Sequence, residues 1–242
     1  TTIRIETTDG KNTSIGTGFI TNSKKGKIES KYIITNKHVI ENSKAGVFHF
    51  NVGVGKKPKL GETYPIGINK DFEKIWHNHP DNIDLCLTTF DSALNLAKTV
   101  NVDLFYRSIS LDRFPSHSEL NDFDVYEEVC FIGYPIGLYD KKHNLPIYRT
   151  GTTATHIALN YNGKSVFLID ASVFPGSSGS PVFIYNPNFY RRGNTIVAGS
   201  RLIFIGVISE TIIKNELGEV EIIEIPTNHK GLIKLSQAIN LG

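Results

Sequence analysis

Short β-rich runs recur along this chain with almost nothing of helical periodicity between them. They fall at Ser14 to Thr21, Lys31 to Asn36, Val47 to Asn51, Asp84 to Thr89, Glu128 to Tyr134, Ile147 to Leu159, Ser165 to Ser172, Pro181 to Tyr185, Leu202 to Ser209 and Val220 to Ile225. Ile, Val, Phe, Thr and Tyr dominate them, side chains that suit a pleated, half-buried surface, and Gly, Asn, Asp, Pro and Lys punctuate the gaps. A parallel α/β sheet would need a helix in each crossover. The expected fold class is therefore all-β, a barrel or a sandwich. The clearest helical pattern comes at the end, His229 to Asn240, where Leu232, Leu235 and Ile239 share one face downstream of the breaker Pro226. Between Leu111 and Asp124 the sequence turns polar and irregular and reads as a linker, which splits the strands into two comparable sets. The expected organisation is a first unit over 1–112, a second over 113–228 and a terminal helix over 229–242.

With 242 residues and 40% hydrophobic content the chain can bury a real core, as one large domain or as two small ones sharing an interface. Its 26 basic and 24 acidic residues leave a formal charge of only +2, so no electrostatic footprint marks DNA, RNA or an anionic membrane as a partner. The longest apolar stretches, such as Leu202 to Ile208, fall far short of a membrane span, and Thr1-Thr2-Ile3-Arg4 lacks a signal-peptide pattern. The chain reads as soluble, with a bacterial cytoplasmic and a secreted setting both compatible. It has no Met, so its start is expected to be a processed or cut end, with any leader or further domain outside this sequence. Cys86 and Cys130 each sit in an apolar run and read as buried thiols rather than a disulfide.

Chemistry enters at Gly176-Ser177-Ser178-Gly179-Ser180-Pro181, a turn between two strands. Glycines on both sides of a serine allow a tight bend that exposes a side chain and points successive N–H groups at one spot, where an oxyanion can sit. Such turns are also common with no function at all. A serine hydroxyl becomes a nucleophile only beside a base, and the base needs an acceptor behind it to fix its tautomer. Of the eight histidines, His38 follows directly on the apolar run Tyr32-Ile33-Ile34-Thr35-Asn36, at the rigid end of a strand. Asp84 enters the run Leu85-Cys86-Leu87, with Asp81 as the competing carboxylate in the polar turn before it.

Thr35-Asn36-Lys37-His38-Val39, Asp84-Leu85-Cys86-Leu87, Gly133-Tyr134-Pro135 and Asp170-Ala171-Ser172-Val173-Phe174-Pro175-Gly176-Ser177-Ser178-Gly179-Ser180-Pro181 together resemble the ordered landmarks of trypsin-like serine proteases. The version here is closest to the bacterial glutamyl endopeptidase and HtrA-type branches, and the resemblance runs from about Ser14 to about Ser209. It implies two six-stranded antiparallel barrels, the first carrying His38 and Asp84 and the second Ser178, with the active site between them. It also implies that the turn Gly176-Ser177-Ser178 forms the oxyanion hole, through the N–H groups of Gly176 and Ser178, and that protein or peptide substrates are cut with no cofactor and no metal.

Two departures accompany the resemblance. Ser177 stands where the digestive branch has an aspartate that pairs with a newly cut N-terminus, so activation by that route is not expected. The resemblance also places the substrate pocket on Ser172, Val173 and Phe174 before the nucleophile and on Ile208, Ser209, Glu210 and Thr211 after it. Ser172 replaces the aspartate of trypsin-like specificity, and Ile208 replaces the histidine of glutamyl endopeptidases. The expected preference before the cut is thus a small or medium uncharged residue, with Glu210 the one side chain that could change it. Two other readings stay open: a protease-fold effector gated by a domain or partner outside this chain, and a catalytically silent binding module. His77 and His79, with Trp76 and Asp81, lack further ligands at metal-binding spacing and read as a solvated loop.

Overall fold

A computed structural model describes residues 1–25, 28–81, 83–110, 113–136, 138–193, 195–209, 212–213 and 240–241. Nine strands form the first sheet: β1 Thr2–Thr8, β2 Thr13–Lys25, β3 Ile28–Thr35, β4 Ala45–Val54, β5 Lys57–Ile68, β6 His77–Asn78, β7 Cys86–Thr89, β8 Leu104–Phe105 and β9 Ile109–Ser110. Their hydrogen-bonded order is β5-β4-β1-β2-β3-β7-β6, with β8 added to β4 and β9 to β2. The second sheet takes β10 Glu128–Gly133, β11 Ile147–Thr153, β12 Ile169–Asp170, β13 Pro181–Asn186 and, after the hairpin β14 Phe189–Arg192 with β15 Thr195–Ala198, β16 Arg201–Val207. Its order is β12-β11-β10-β13-β16, antiparallel throughout. Ile212–Ile213 and Asn240–Leu241 pair as β17 and β18.

The all-β expectation holds, and the two strand sets lie on either side of the stretch from Leu111 to Asp124. Within that stretch α3 His117–Leu120 is closed by a capping box, the Ser116 hydroxyl and Glu119 backbone N–H on one side and the Glu119 carboxylate and Ser116 N–H on the other. No closed barrel is formed by hydrogen bonding among the described residues. β6, β8 and β9 are each two residues long and leave their sheet open at its margins. Of the run expected from Ser165 to Ser172, only Ile169–Asp170 is a strand. The sequence reading found almost no internal helix, yet Asp91–Thr99 forms α2, with Ala93 and Ala97 buried beneath it. Val220 to Ile225 lies outside the described residues, as does the helix expected over His229 to Asn240 except for Asn240, which belongs to β18.

Three buried clusters hold the sheets. The first gathers Ile3, Ile5, Ile20, Ile33, Phe48, Phe50, Phe72, Trp76 and Phe90 with their neighbours, and the second Phe123, Val129, Phe131, Ile169, Val173, Val182, Ile184 and Ile208. The third joins the sheets to each other: Phe19 of β2 meets Phe204 of β16 with ring centroids 5.5 Å apart, and Phe183 and Phe114 pack on the same ring. Burying such aromatics removes about 150–250 Å² of surface each, and this shared cluster joins the two sheets. Cys86 and Cys130 are both free and buried.

A polar cluster also lies in the first unit. His49 of β4 is half-buried beside Glu6 and Arg4 of β1, with its Nε2 3.1 Å from Glu6 Oε2 but in no aligned hydrogen bond. Burial first, and then the Arg4 guanidinium, pull its pKa down from 6.5 to about 4. The unfolded chain therefore takes up a proton that the folded chain refuses. Stability from this residue is complete above pH 6.5 and is lost as pH falls from there toward 4. We expect urea unfolding at pH 7 and pH 4 to differ by about 1–2 kcal/mol more in the wild type than in His49→Gln, the full shift being reduced by the solvent that still reaches the ring. An equal acid loss in the two proteins would refute this.

Candidate active site

The geometry begins with the register of β3 on β7. The strands run antiparallel with Thr35 opposite Cys86, so the residues just after β3 and just before β7 emerge at the same end. Those residues are His38 and Asp84. The single turn α1 Lys37–Ile40 buries Val39 and Ile40 and leaves His38 at the surface. Gly16 makes room for that turn, because a Cβ there would fall 2.4 Å from Val39 Cγ1. Asn36, fully buried, donates from Nδ2 to the Asp84 carbonyl at 2.8 Å and ties the two strand ends together.

Asp84 then grips His38 at two points. Its Oδ2 lies 2.6 Å from His38 Nδ1, and its Oδ1 accepts the His38 backbone N–H at 3.0 Å. Burial would raise the Asp84 carboxyl. Hydrogen bonds from the His38 ring, the His38 backbone and the Lys37 backbone outweigh it and hold the group below the ordinary carboxylate range. Asp84 is thus an anion at neutral pH, which makes Nδ1 the protonated nitrogen and leaves Nε2 as the basic one. Asp81 does not compete: it is exposed, and its backbone N–H donates to His79 Nδ1. Behind Asp84, burial and the Asp84 charge push the Cys86 thiol up to about 12 against a lesser pull from Lys37, so this cysteine is inert.

Ser178 sits in the turn that feeds β13. Gly176 and Gly179 hold φ of +89° and +86°, backbone that glycine alone adopts without cost. The β13–β16 ladder extends past the strand end into this turn, since Gly179 N–H donates to Ile208 O and Ile208 N–H to Ser180 O, both at 2.9 Å. The Ser178 hydroxyl lies 3.5 Å from the Ser209 carbonyl. Among the described residues the backbone N–H groups of Gly176 and Ser178 take part in no hydrogen bond, whereas that of Ser177 donates to Phe174 O at 3.0 Å. Ser177 is also buried, so of the three residues expected to line an oxyanion hole it turns away in this conformation.

Thr17 was not singled out in the sequence, yet it ties the Ser178 turn to the His38 strand. It is fully buried on β2. Its N–H donates to Ser178 O at 2.9 Å, and its carbonyl accepts the Thr35 hydroxyl at 2.7 Å. Its own hydroxyl donates to Gly176 O at 3.0 Å and accepts the Tyr134 N–H at 2.8 Å. The Gly16-Thr17-Gly18 step was the only sequence signal, and it is weak without the fold.

The expected pocket residues divide. Val173 and Ile208 face the second core cluster and are buried. Ser172 and Phe174 are exposed, and Ser209 offers its carbonyl to Ser178. Glu210 and Thr211 lie outside the described residues. Among the described residues no three His, Cys, Asp or Glu side chains cluster as a metal ion would require, and no helix is long and apolar enough to cross a membrane.

Residues 16–186 match the family model described as a trypsin-like peptidase domain, well over half of the sequence. The chain belongs to the trypsin-like peptidase family. No curated protein is significantly similar to it. Among solved structures, this trypsin-like chain is similar to an HtrA-type protease, AlgW, with a tripeptide, at 16% identity and a TM-score of 0.43. That match covers 84% of this chain and 55% of the AlgW chain, so the chain spans only about half of that protein. It is also similar to the scabies mite inactivated protease paralogue S-I1, at 15% identity and a TM-score of 0.37, over 85% of this chain and 89% of the other.

Proposed function

We propose that the chain is a serine endopeptidase that cuts peptide bonds through an acyl-enzyme, with Ser178 as nucleophile, His38 as base and Asp84 as its orienting anion. The observation that carries this reading is the two-point contact of Asp84 with His38. A carboxylate bound to both the ring and the backbone of a histidine fixes the ring's tautomer and its direction, which a general base requires. Ser178 Oγ attacks the peptide carbonyl carbon as its proton passes to His38 Nε2. The tetrahedral oxyanion is held by the N–H groups of Gly176 and Ser178, each such donor being worth about 3 kcal/mol of barrier. The C–N bond then breaks, and the amine departs with the proton from His38. Water repeats the sequence on the acyl-enzyme, returning Ser178 and releasing the acid.

Labelling by an alkyl fluorophosphonate tests this, because the reagent bonds only to a serine that a base has activated. The wild type is expected to be labelled on Ser178, with labelling lost in Ser178→Ala and in His38→Ala. Labelling together with casein turnover supports the free-standing enzyme, and labelling without turnover points to gating by a domain or partner. No labelling of the wild type overturns the reading in favour of a silent binding module.

A further inference from the structure

Apart from Glu210, the wall residues read from the sequence carry no charge, but the fold brings one in from another strand. Arg149 lies on β11 opposite Phe131, whose ring is buried in the second core cluster, so the two side chains share the inner face of the sheet. β11 runs beside the segment that leads to the nucleophile: a Cβ on Gly151 would touch Asp170 O and the Ala171 side chain. On that segment Arg149 Nη1 donates to the Ser172 carbonyl at 2.7 Å, and its guanidinium carbon stands 4.3 Å over the centre of the Phe174 ring. The arginine thus bridges the two exposed residues of the wall.

This cation is half-buried, and burial is the cause that lowers its pKa. Arginine stays protonated in proteins all the same. Among the described residues no carboxylate lies within ion-pair distance of it, Asp170 on the adjacent strand included. Two contacts hold its position, the carbonyl of Ser172 and the face of Phe174, and neither neutralises its charge. A guanidinium has five N–H donors in a fixed fork, suited to a carboxylate, and the bond to Ser172 takes one of them. A partly desolvated cation fixed at the expected pocket wall repels a basic side chain and is left unpaired by an apolar one.

We infer that Arg149 is the specificity-determining residue and selects substrates with an acidic side chain, Glu or Asp, immediately before the cut. This inference rests on the endopeptidase reading above. It replaces the uncharged preference suggested by the wall residues of the sequence, in which Arg149 had no part.

Peptidyl diphenyl phosphonates with a Glu, Leu or Lys side chain at the position before the phosphorus read both proposals at once, through their second-order rates of labelling. The wild type is expected to react at least about 100-fold faster with the Glu reagent than with the Leu or Lys reagent. Arg149→Gln should bring the Glu-to-Leu ratio close to one, and Arg149→Glu should shift the preference to Lys. The wild-type profile needs no variant, so a misfolded substitution leaves the inference open to refutation. Faster labelling by the Leu or Lys reagent, or a Glu-to-Leu ratio unchanged in Arg149→Gln, overturns the inference and leaves the endopeptidase reading standing. No labelling by any of the reagents or by the alkyl fluorophosphonate overturns both.

Discussion

Ser178→Ala is expected to lower kcat for peptide hydrolysis by roughly a million-fold, His38→Ala by a similar factor, and the double variant by no more than either. The non-additivity is the sharper part of this result, because in the proposed mechanism nucleophile and base act in one step and losing either stops it. Asp84→Asn should cost about ten-thousand-fold, and the contacts of Asp84 say why. The His38 backbone N–H at 3.0 Å from Oδ1 needs an acceptor, so the amide of an asparagine would turn its oxygen there and its NH2 toward His38 Nδ1. Nδ1 would then have to accept, the ring proton would move to Nε2, and His38 could no longer take a proton from Ser178. Steady-state kinetics on a cleaved peptide check the set. Additive losses from His38→Ala and Ser178→Ala, or an Asp84→Asn variant within about ten-fold of wild type, would mean that these side chains do not act as a unit.

Among the described residues, Gly179→Ala should be the most damaging methyl added at a glycine. Its Cβ would fall 1.8 Å from Thr17 O and 2.5 Å from Thr35 Oγ1, at a φ of +86°. The first obstacle is backbone, so no rotamer relieves it. The carbonyl it strikes accepts the Thr35 hydroxyl, and the N–H of the same residue holds Ser178 O. Left-handed backbone costs a residue with a Cβ about 1–2 kcal/mol, and overpacking adds about 1–3 more. The turn must therefore shift, breaking the Thr17 bridge, and a loss of about 2–5 kcal/mol in urea unfolding is expected with activity lost as well. A Gly179→Ala protein within about 1 kcal/mol of wild type, with normal labelling of Ser178, would show that the turn has freedom this packing denies it.

Several features that differ from the sequence reading have a common cause. α2 was missed because Asp91-Ser92-Ala93-Leu94-Asn95-Leu96-Ala97-Lys98-Thr99 carries a weak apolar face, and it is helical because Ala93 and Ala97 are small enough to pack closely on the sheet. β1 and β5 were missed because their polar residues mask the alternation: Arg4 and Thr7 are buried on β1, and most of β5 is exposed. Local composition reports how a side chain would fare in water. It does not report which neighbour will cover it.

The all-β class was settled by residue type, since β-branched and aromatic runs between turn formers have few other ways to bury themselves. The candidate site residues stood out too, because a serine between glycines, a histidine at a strand end and an aspartate entering a strand are marked by their immediate neighbours. Which groups meet was not legible. Asp84 rather than Asp81 grips His38 because the β3–β7 register sets Thr35 against Cys86, and register depends on pairing across distant segments. Thr17 bridges the Ser178 turn and the His38 strand, and Arg149 stands against Ser172 and Phe174, for the same reason. Each of those contacts joins residues far apart in the chain, and a hydrogen bond or a charge has effect only over a few ångströms, so only the packed sheets could bring them into range.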